Sequence, residues 1–78
     1  MSMTFTSDVA VMAGQVTVEE AEELLEWLVK HPSASVDMQA LEHLHAANLQ
    51  VLMAARARIA HWPEDTDTRL WLQAALNS

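Results

Sequence analysis

The sequence predicts the α/β class: a mixed sheet of about four strands with three helices, in the order β-β-α-β-α-β-α. Three observations lead there. Short apolar runs of strand length alternate with longer segments whose apolar residues recur at helical spacing. The breakers Gly14, Pro32 and Pro63 fall between those segments. Hydrophobic residues make up 51% of the 78, enough for one globular core and too much for a disordered chain. Strands alternating with helices imply a partly parallel sheet with helices over it, and right-handed crossovers from the second strand to the third and from the third to the fourth.

Met3–Phe5 and residues 9–12 are the first two strands, with Thr6, Ser7 and Asp8 turning between them. Gly14, the single glycine, then supplies a loop conformation that a Cβ would penalise. Thr17 opens the first helix through a capping box, its hydroxyl placed to accept from the Glu20 N–H while the Glu20 carboxylate reaches back. Glu19, Glu20, Glu22 and Glu23 crowd the positive end of the helix dipole, Lys30 and His31 sit at the negative end, and Pro32 stops the helix. Val18, Ala21, Leu24, Leu25 and Leu28 are expected on its buried face. Residues 34–38 read as a buried strand and residues 39–44 as a connection. A second helix over about residues 45–57 presents Leu49, Leu52 and Met53 as its apolar face, with Arg56 and Arg58 at its C-terminal end. Residues 59–62 form a last short strand and residues 63–67 a loop and helix start. A third helix over residues 68–76 is anchored by Leu70, Leu72 and Leu76 and terminated by Asn77.

Eleven carboxylates against four basic residues give a net charge of −7. Nucleic-acid phosphates need a clustered Lys/Arg footprint, and an anionic membrane surface repels such a chain, so neither is expected as a partner. No run of about 18 apolar residues exists to span a bilayer. The N-terminal MSMTFTSDVA lacks the basic segment and apolar core of a secretory signal, which makes the cytoplasm the expected compartment. With no cysteine, neither a disulfide nor a thiolate metal site supplements the core. A chain this short buries only about 60–65% of the surface its unfolded form exposes, and a partner or a second copy is one way to add stability.

The most informative stretch is ASVDMQALEHLHAANLQVLMAA, residues 34–55. It runs from a strand carrying Val36-Asp37-Met38 through a polar turn into the second helix, with His45, Ala46, Ala47 and Asn48 at the junction. Together with the N-terminal hairpin and the acidic helix VTVEEAEELLEWL, this order resembles the STAS domain family of bacterial anti-sigma-factor antagonists, over roughly residues 5–76. In that family the central strand typically reads V-D-L-S, and an apolar pair followed by D-S-S/A-G-L opens the next helix. Here Leu44 takes the apolar position, His45 that of the acidic residue, Ala46 and Ala47 those of the serines, Asn48 that of the glycine and Leu49 that of the leucine.

The resemblance implies a small STAS-like sandwich that acts without catalysis, docking an anti-sigma factor or a histidine-kinase-like regulatory protein. It also exposes two departures. The serine matching Ala47 is the phosphoacceptor in family members that work as switches, and alanine has no oxygen to phosphorylate. A typical member continues with another strand and a C-terminal helix, so residues 1–78 are expected to form a single shortened domain. The physical logic of the junction survives the missing serine. A helix start leaves up to four backbone N–H groups unpaired, and small residues let a partner's backbone come close. Glu42, His43, His45, Ala46, Ala47, Asn48 and Gln50, with the neighbouring face of the first helix, are the expected partner contacts. The plainer reading is that Ala46 and Ala47 merely pack a helix start.

His43 and His45 flank Leu44, so in an extended segment both rings point to one side, next to Glu42. Two histidines and a carboxylate suit Zn²⁺, Ni²⁺ or acid–base chemistry. A usable metal site wants three or four convergent ligands, however, and His31 and His61 are too distant in sequence to be assigned; one of the pair capping the turn is the alternative. No G-x-S-x-G elbow and no glycine-rich phosphate loop is present, and no cofactor is implied. The carboxylates of Glu19 to Glu26 are expected to be a solvated helix face, and Asp37 to bond nearby backbone N–H groups. Trp27 is expected at the edge of the first helix's buried face and Trp62 at the end of a strand. Trp71 rides the last helix, where apolar surface left by the missing C-terminal element would be covered by a homodimer, making a homo-oligomeric scaffold the alternative function.

Overall fold

The computed structural model describes residues 2–76. A hairpin of β1 (Met3–Phe5) and β2 (Val9–Val16) leads through a 3₁₀ turn (Val18–Glu20) into α1 (Ala21–Lys30). Then follow β3 (Ser35–Leu44), α2 (Ala46–Ala55), β4 (Arg58–His61) and α3 (Thr66–Leu76). The four strands form one mixed sheet in the order β1-β2-β3-β4, β1 antiparallel to β2 and the other two pairings parallel. The molecule therefore has the α/β class and the element order that the sequence predicts. At the hairpin turn the Thr6 N–H and hydroxyl both donate to the Val9 carbonyl, at 2.9 and 3.0 Å.

Two strands run longer than expected. β2 does not end at Met12 but continues to Val16, and Gly14 lies within it at φ 65. A Cβ at Gly14 would meet nothing within 4 Å, so the glycine serves the left-handed backbone and not a close approach. β3 likewise runs through residues 39–44, which were expected to form a connection. Val11 pairs with Asp37 and Ala13 with Ala40, then Gly14 with Leu41 and Gln15 with His43, so β3 accommodates an extra residue twice. These bulges turn Met38, Leu41 and Leu44 all to the buried side at intervals of three residues.

One core cluster takes Met3 from β1, Ala10, Met12 and Val16 from β2, and Val36, Met38, Leu41 and Leu44 from β3. Leu24 and Leu28 of α1, Leu49 and Leu52 of α2 and Leu72 of α3 complete it, so the helices share one face of the sheet. Each of the Met, Val and Leu side chains contributes on the order of 1.5–3 kcal/mol of burial.

The capping box at Thr17 forms, with the Glu20 carboxylate accepting from the Thr17 N–H at 3.2 Å. The same oxygen accepts from the Ser2 hydroxyl at 2.5 Å, which ties the chain's start to the start of α1. The buried face of α1 is narrower than the sequence predicts: Leu24 and Leu28 are buried, whereas Val18 is 53% and Leu25 43% exposed. The 3₁₀ turn, with three residues per turn, rotates Val18 out of line with the α-helical stripe. Trp27 is half-buried on the β1 side of α1, stacked between Phe5 at 5.0 Å and His31 at 4.5 Å, and His31 Nδ1 donates to the Trp27 carbonyl at 2.9 Å. Met53 and Leu70, both expected to anchor helices, are exposed.

A left-handed Arg56 (φ 52) closes α2, with the Arg56 N–H donating to the Met53 carbonyl at 3.2 Å and the Ala57 N–H to the Leu52 carbonyl at 3.0 Å. β4 pairs with β3 only as far as Asp37. Beyond that point the approach to α3 covers the β3 edge: the Glu64 N–H donates to the Gln39 carbonyl at 3.2 Å, and the Thr68 hydroxyl to the Glu42 carbonyl at 3.3 Å. Asp65 caps α3, accepting from the Thr68 N–H at 3.0 Å and the Thr68 hydroxyl at 2.6 Å. Asn77, expected to terminate α3, lies outside the described residues.

Candidate functional site

The junction between β3 and α2 is a tight elbow built around His45. Its extended backbone (φ −64, ψ 143) makes it the residue before the first helical turn, and its ring Nδ1 accepts the Ala47 N–H at 3.0 Å. Its carbonyl accepts the N–H groups of Asn48 at 2.9 Å and Leu49 at 3.3 Å. This corrects the expectation that the elbow offers a row of free backbone donors. Of the four N–H groups such a start leaves outside the helix ladder, three are taken: His45 donates to the Val16 carbonyl at 2.9 Å, Ala47 to the His45 ring and Asn48 to the His45 carbonyl. His45 thus takes the place of the Ser, Thr, Asp or Asn more usual at such a position.

The expected contact residues separate into an exposed set and a buried one. Glu42, His43, His45, Ala46 and Gln50 are exposed, and Ala47 is half-buried. Glu42 and His43 stand on the last residues of β3 and not in a loop. Asn48 departs from the expectation: it is 0% exposed, and its amide Nδ2 donates to the Thr17 carbonyl at 2.7 Å. It braces the start of α2 against the entry to α1 and offers nothing to a partner. Its Oδ1 is buried without a protein partner, as is Oε2 of Glu20 on the same α1 entry. Among the described residues no group of three or more His, Asp or Glu side chains is placed to hold a metal ion. Asp37 bonds locally, as its chemistry predicts, accepting the Gln39 N–H at 2.9 Å.

The Asn48–Thr17 bond has a second consequence, because it sets α2 alongside α1 with their starts together. Their ends also meet, across a groove of about 250 Å³ that Leu28, Val29, Pro32, Ala55, Arg56 and Ala57 help to line. Trp27 marks the flank of α1 that faces β1, so Val29, on the groove, marks the flank that faces α2. Leu25 precedes Val29 by one helical turn, and Val18 follows Thr17 directly. Leu25 and Val29 thus lie on the flank of α1 nearer α2, 43% and 71% exposed, and Val18, on the 3₁₀ turn, is 53% exposed.

α2 itself, AANLQVLMAA, carries no charged residue, yet Ala46, Gln50, Met53, Ala54 and Ala55 are exposed. A helix without a polar face is ordinarily buried. The uncharged composition of α2 was visible in the sequence; the outward turn of Leu25 and Val29 was not, because a leucine-rich helix reads as having one broad buried stripe.

No protein-family model matches the chain, and no curated protein matches its sequence. Fold and face together define a small α/β domain whose candidate site is a surface formed by two adjacent helices. No helix among the described residues is long and apolar enough to cross a membrane.

Proposed function

We propose that this protein is a non-catalytic, STAS-like interaction module of bacterial signalling or transcription regulation. It docks a cytoplasmic regulatory protein, an anti-sigma factor or a histidine-kinase-like protein, through the elbow at His45–Ala47 and the adjoining faces of α1 and α2. The observation that carries the reading is the uncharged helix α2 left half in solvent, with the apolar Leu25 and Val29 of the neighbouring α1 exposed. With alanine at position 47, binding is governed by concentration or by modification of the partner.

Ala47→Asp places a carboxylate where family members would carry phosphate. A docking surface there predicts a loss of partner affinity of at least about tenfold, the effect of roughly 1.4 kcal/mol. A purely structural elbow predicts a change in stability alone. The partner is identified by affinity capture, purified, and titrated calorimetrically against wild type, Ala47→Asp and Leu25→Asp. Unchanged affinity for both folded variants overturns the reading.

A homo-oligomeric scaffold is favoured by a separate observation, the exposure of Leu70 (58%) and Trp71 (48%) on the outer side of α3. Sedimentation of wild type and Trp71→Ala at several concentrations distinguishes it: a scaffold gives a wild-type oligomer that the substitution disperses.

A further inference from the structure

We infer that the cavity between the C-terminal ends of α1 and α2 is a binding site for a small carboxylate on a branched aliphatic body. It lies at the far end of α2 from the elbow, a helical rise of about 15 Å away, and is separate from the docking contacts at His45–Ala47. Its walls divide by chemistry. Leu28, Val29, Pro32 and Ala55 give an apolar side, and Arg56 and Arg58 a basic one. The chain has only four Lys and Arg residues against eleven carboxylates, yet two of the four line this cavity and none of the carboxylates does. Arg56 and Arg58 are both exposed, and among the described residues neither guanidinium is paired with a carboxylate. Lys30, at the same end of α1, lines a different hollow with Phe5 and Trp27. His31 is also on the wall, its Nδ1 committed to the Trp27 carbonyl at 2.9 Å.

The plainer reading is that the two arginines only offset the helix dipoles, whose negative ends meet here. Charge and backbone both argue against it. Each helix end carries about half a negative charge, roughly one in total, so two guanidiniums leave a surplus of about one positive charge. That surplus sits in a chain of net charge −7. The backbone of Arg56 is left-handed (φ 52) where it closes α2, at a position that favours glycine because a Cβ is penalised there. Helix closure alone asks for glycine, and the arginine is accounted for by what its side chain meets. Size limits the occupant. At about 250 Å³ the cavity falls short of the roughly 300–1,000 Å³ that holds drug-sized ligands, which leaves room for a few carbons. A planar carboxylate matches the guanidinium fork, and a short branched chain matches the wall of Leu28, Val29 and Pro32. A free branched acid and the C-terminal leucine of a peptide carry this chemistry alike.

4-Methylpentanoate is the probe for the free acid and an acetylated tripeptide ending in leucine the probe for the peptide, with 4-methylpentanamide and acetate as controls. In titrations followed by ¹H–¹⁵N correlation spectra, at least one probe should shift the amide signals of residues 28–34 and 55–58 and saturate at roughly 10 mM or below. The tighter of the two names the source. The uncharged amide and the tail-less acetate should each bind at least about tenfold more weakly. Arg58→Gln should weaken binding at least about tenfold. Arg56→Gly should do the same without lowering the melting temperature, because glycine suits the left-handed backbone. No saturation by either probe, equal binding of a control, or unchanged affinity in both arginine variants overturns the inference. Shifts confined to the surroundings of Lys30 or Arg69 overturn it as well, since they show only a general attraction of anions to exposed bases. None of these results bears on the partner titrations with Ala47→Asp and Leu25→Asp, so the docking reading stands or falls separately.

Discussion

α1 and α2 are both ten residues long and lie side by side on the same face of the sheet, yet they treat water in opposite ways. α1 buries Leu24 and Leu28 and surrounds its outer side with Glu22, Glu23, Glu26 and Lys30. α2 buries Asn48, Leu49 and Leu52 and has nothing charged to show on the outside. Amphipathicity accounts for most of α1 as a surface helix, with its carboxylates solvated and Leu24 and Leu28 packed, while Leu25 and Val29 stay exposed. It does not account for α2, whose exterior carries one polar side chain, Gln50, and no charge. The pair teaches that the interface signal lies in the mismatch between composition and position: an uncharged helix is unremarkable in a core and informative on a surface.

The largest effect that tests this contrast falls within α1. Leu24 and Leu25 are neighbours, the first 0% and the second 43% exposed. Leu24→Ala opens a cavity among core side chains and should destabilise the fold by about 3 kcal/mol, whereas Leu25→Ala should stay within roughly 1 kcal/mol. Urea unfolding followed by tryptophan fluorescence measures both. Similar losses would mean that Leu25 is packed and that this flank of α1 is part of the core. Next in size is the brace between the two helices. Asn48→Ala removes the amide that meets the Thr17 carbonyl and leaves space in a site with no solvent access, for a loss of about 2 kcal/mol in the same assay. A loss near zero would uncouple the starts of α1 and α2 and with them the groove.

Much of this arrangement was legible before any coordinates: the element order, the hairpin, the capping box and the position of the elbow. What was not legible has particular physical causes. A lone glycine after an apolar run reads as a break, but Gly14 bends β2 without ending it. Met38, Leu41 and Leu44 recur at three-residue intervals, which fits no strand of period two; the two extra residues in β3 restore the alternation locally, and only the pairing with β2 reveals them. Asn48 is expected as a partner contact from its place in the junction motif, yet it is buried. The Thr17 carbonyl that satisfies it lies 31 residues away in the chain, beyond the reach of any local pattern. Glu42, His43, His45, Ala46 and Gln50 are exposed around the elbow, while the bonds that His45 makes to its own helix are legible in the sequence only as one of two alternatives.

His45 gives the next test. His45→Ala removes the ring that accepts the Ala47 N–H and should lower stability by about 1 kcal/mol, the usual loss of a helix cap. His45→Ser should restore most of that, since a hydroxyl can accept the same N–H. If both variants match wild type, the elbow is held by strand and helix packing alone, and α2 differs from α1 in its start as well as its outer face.

The smallest effect concerns α3, whose start is held by the Asp65 carboxylate. The Thr68 hydroxyl, and after it the Thr68 N–H, hold the Asp65 carboxyl below its ordinary value of 3.8. A carboxyl whose folded pKa is depressed contributes stability that is fully present above the unfolded value. That contribution disappears as the pH falls through the lower folded value. Protonation of other carboxylates shifts stability over the same range, so the informative quantity is the difference between wild type and Asp65→Ala. That difference should be present near neutral pH and vanish at a pH well below 3.8. It should be smaller at neutral pH in a Thr68→Val background, which removes the hydroxyl that matters most. A difference independent of pH would assign the cap to packing and to hydrogen bonds that do not need the charge. Because Asp65 is fully exposed, salt and water screen the interaction, and the change should fall below those at Leu24, Asn48 and His45.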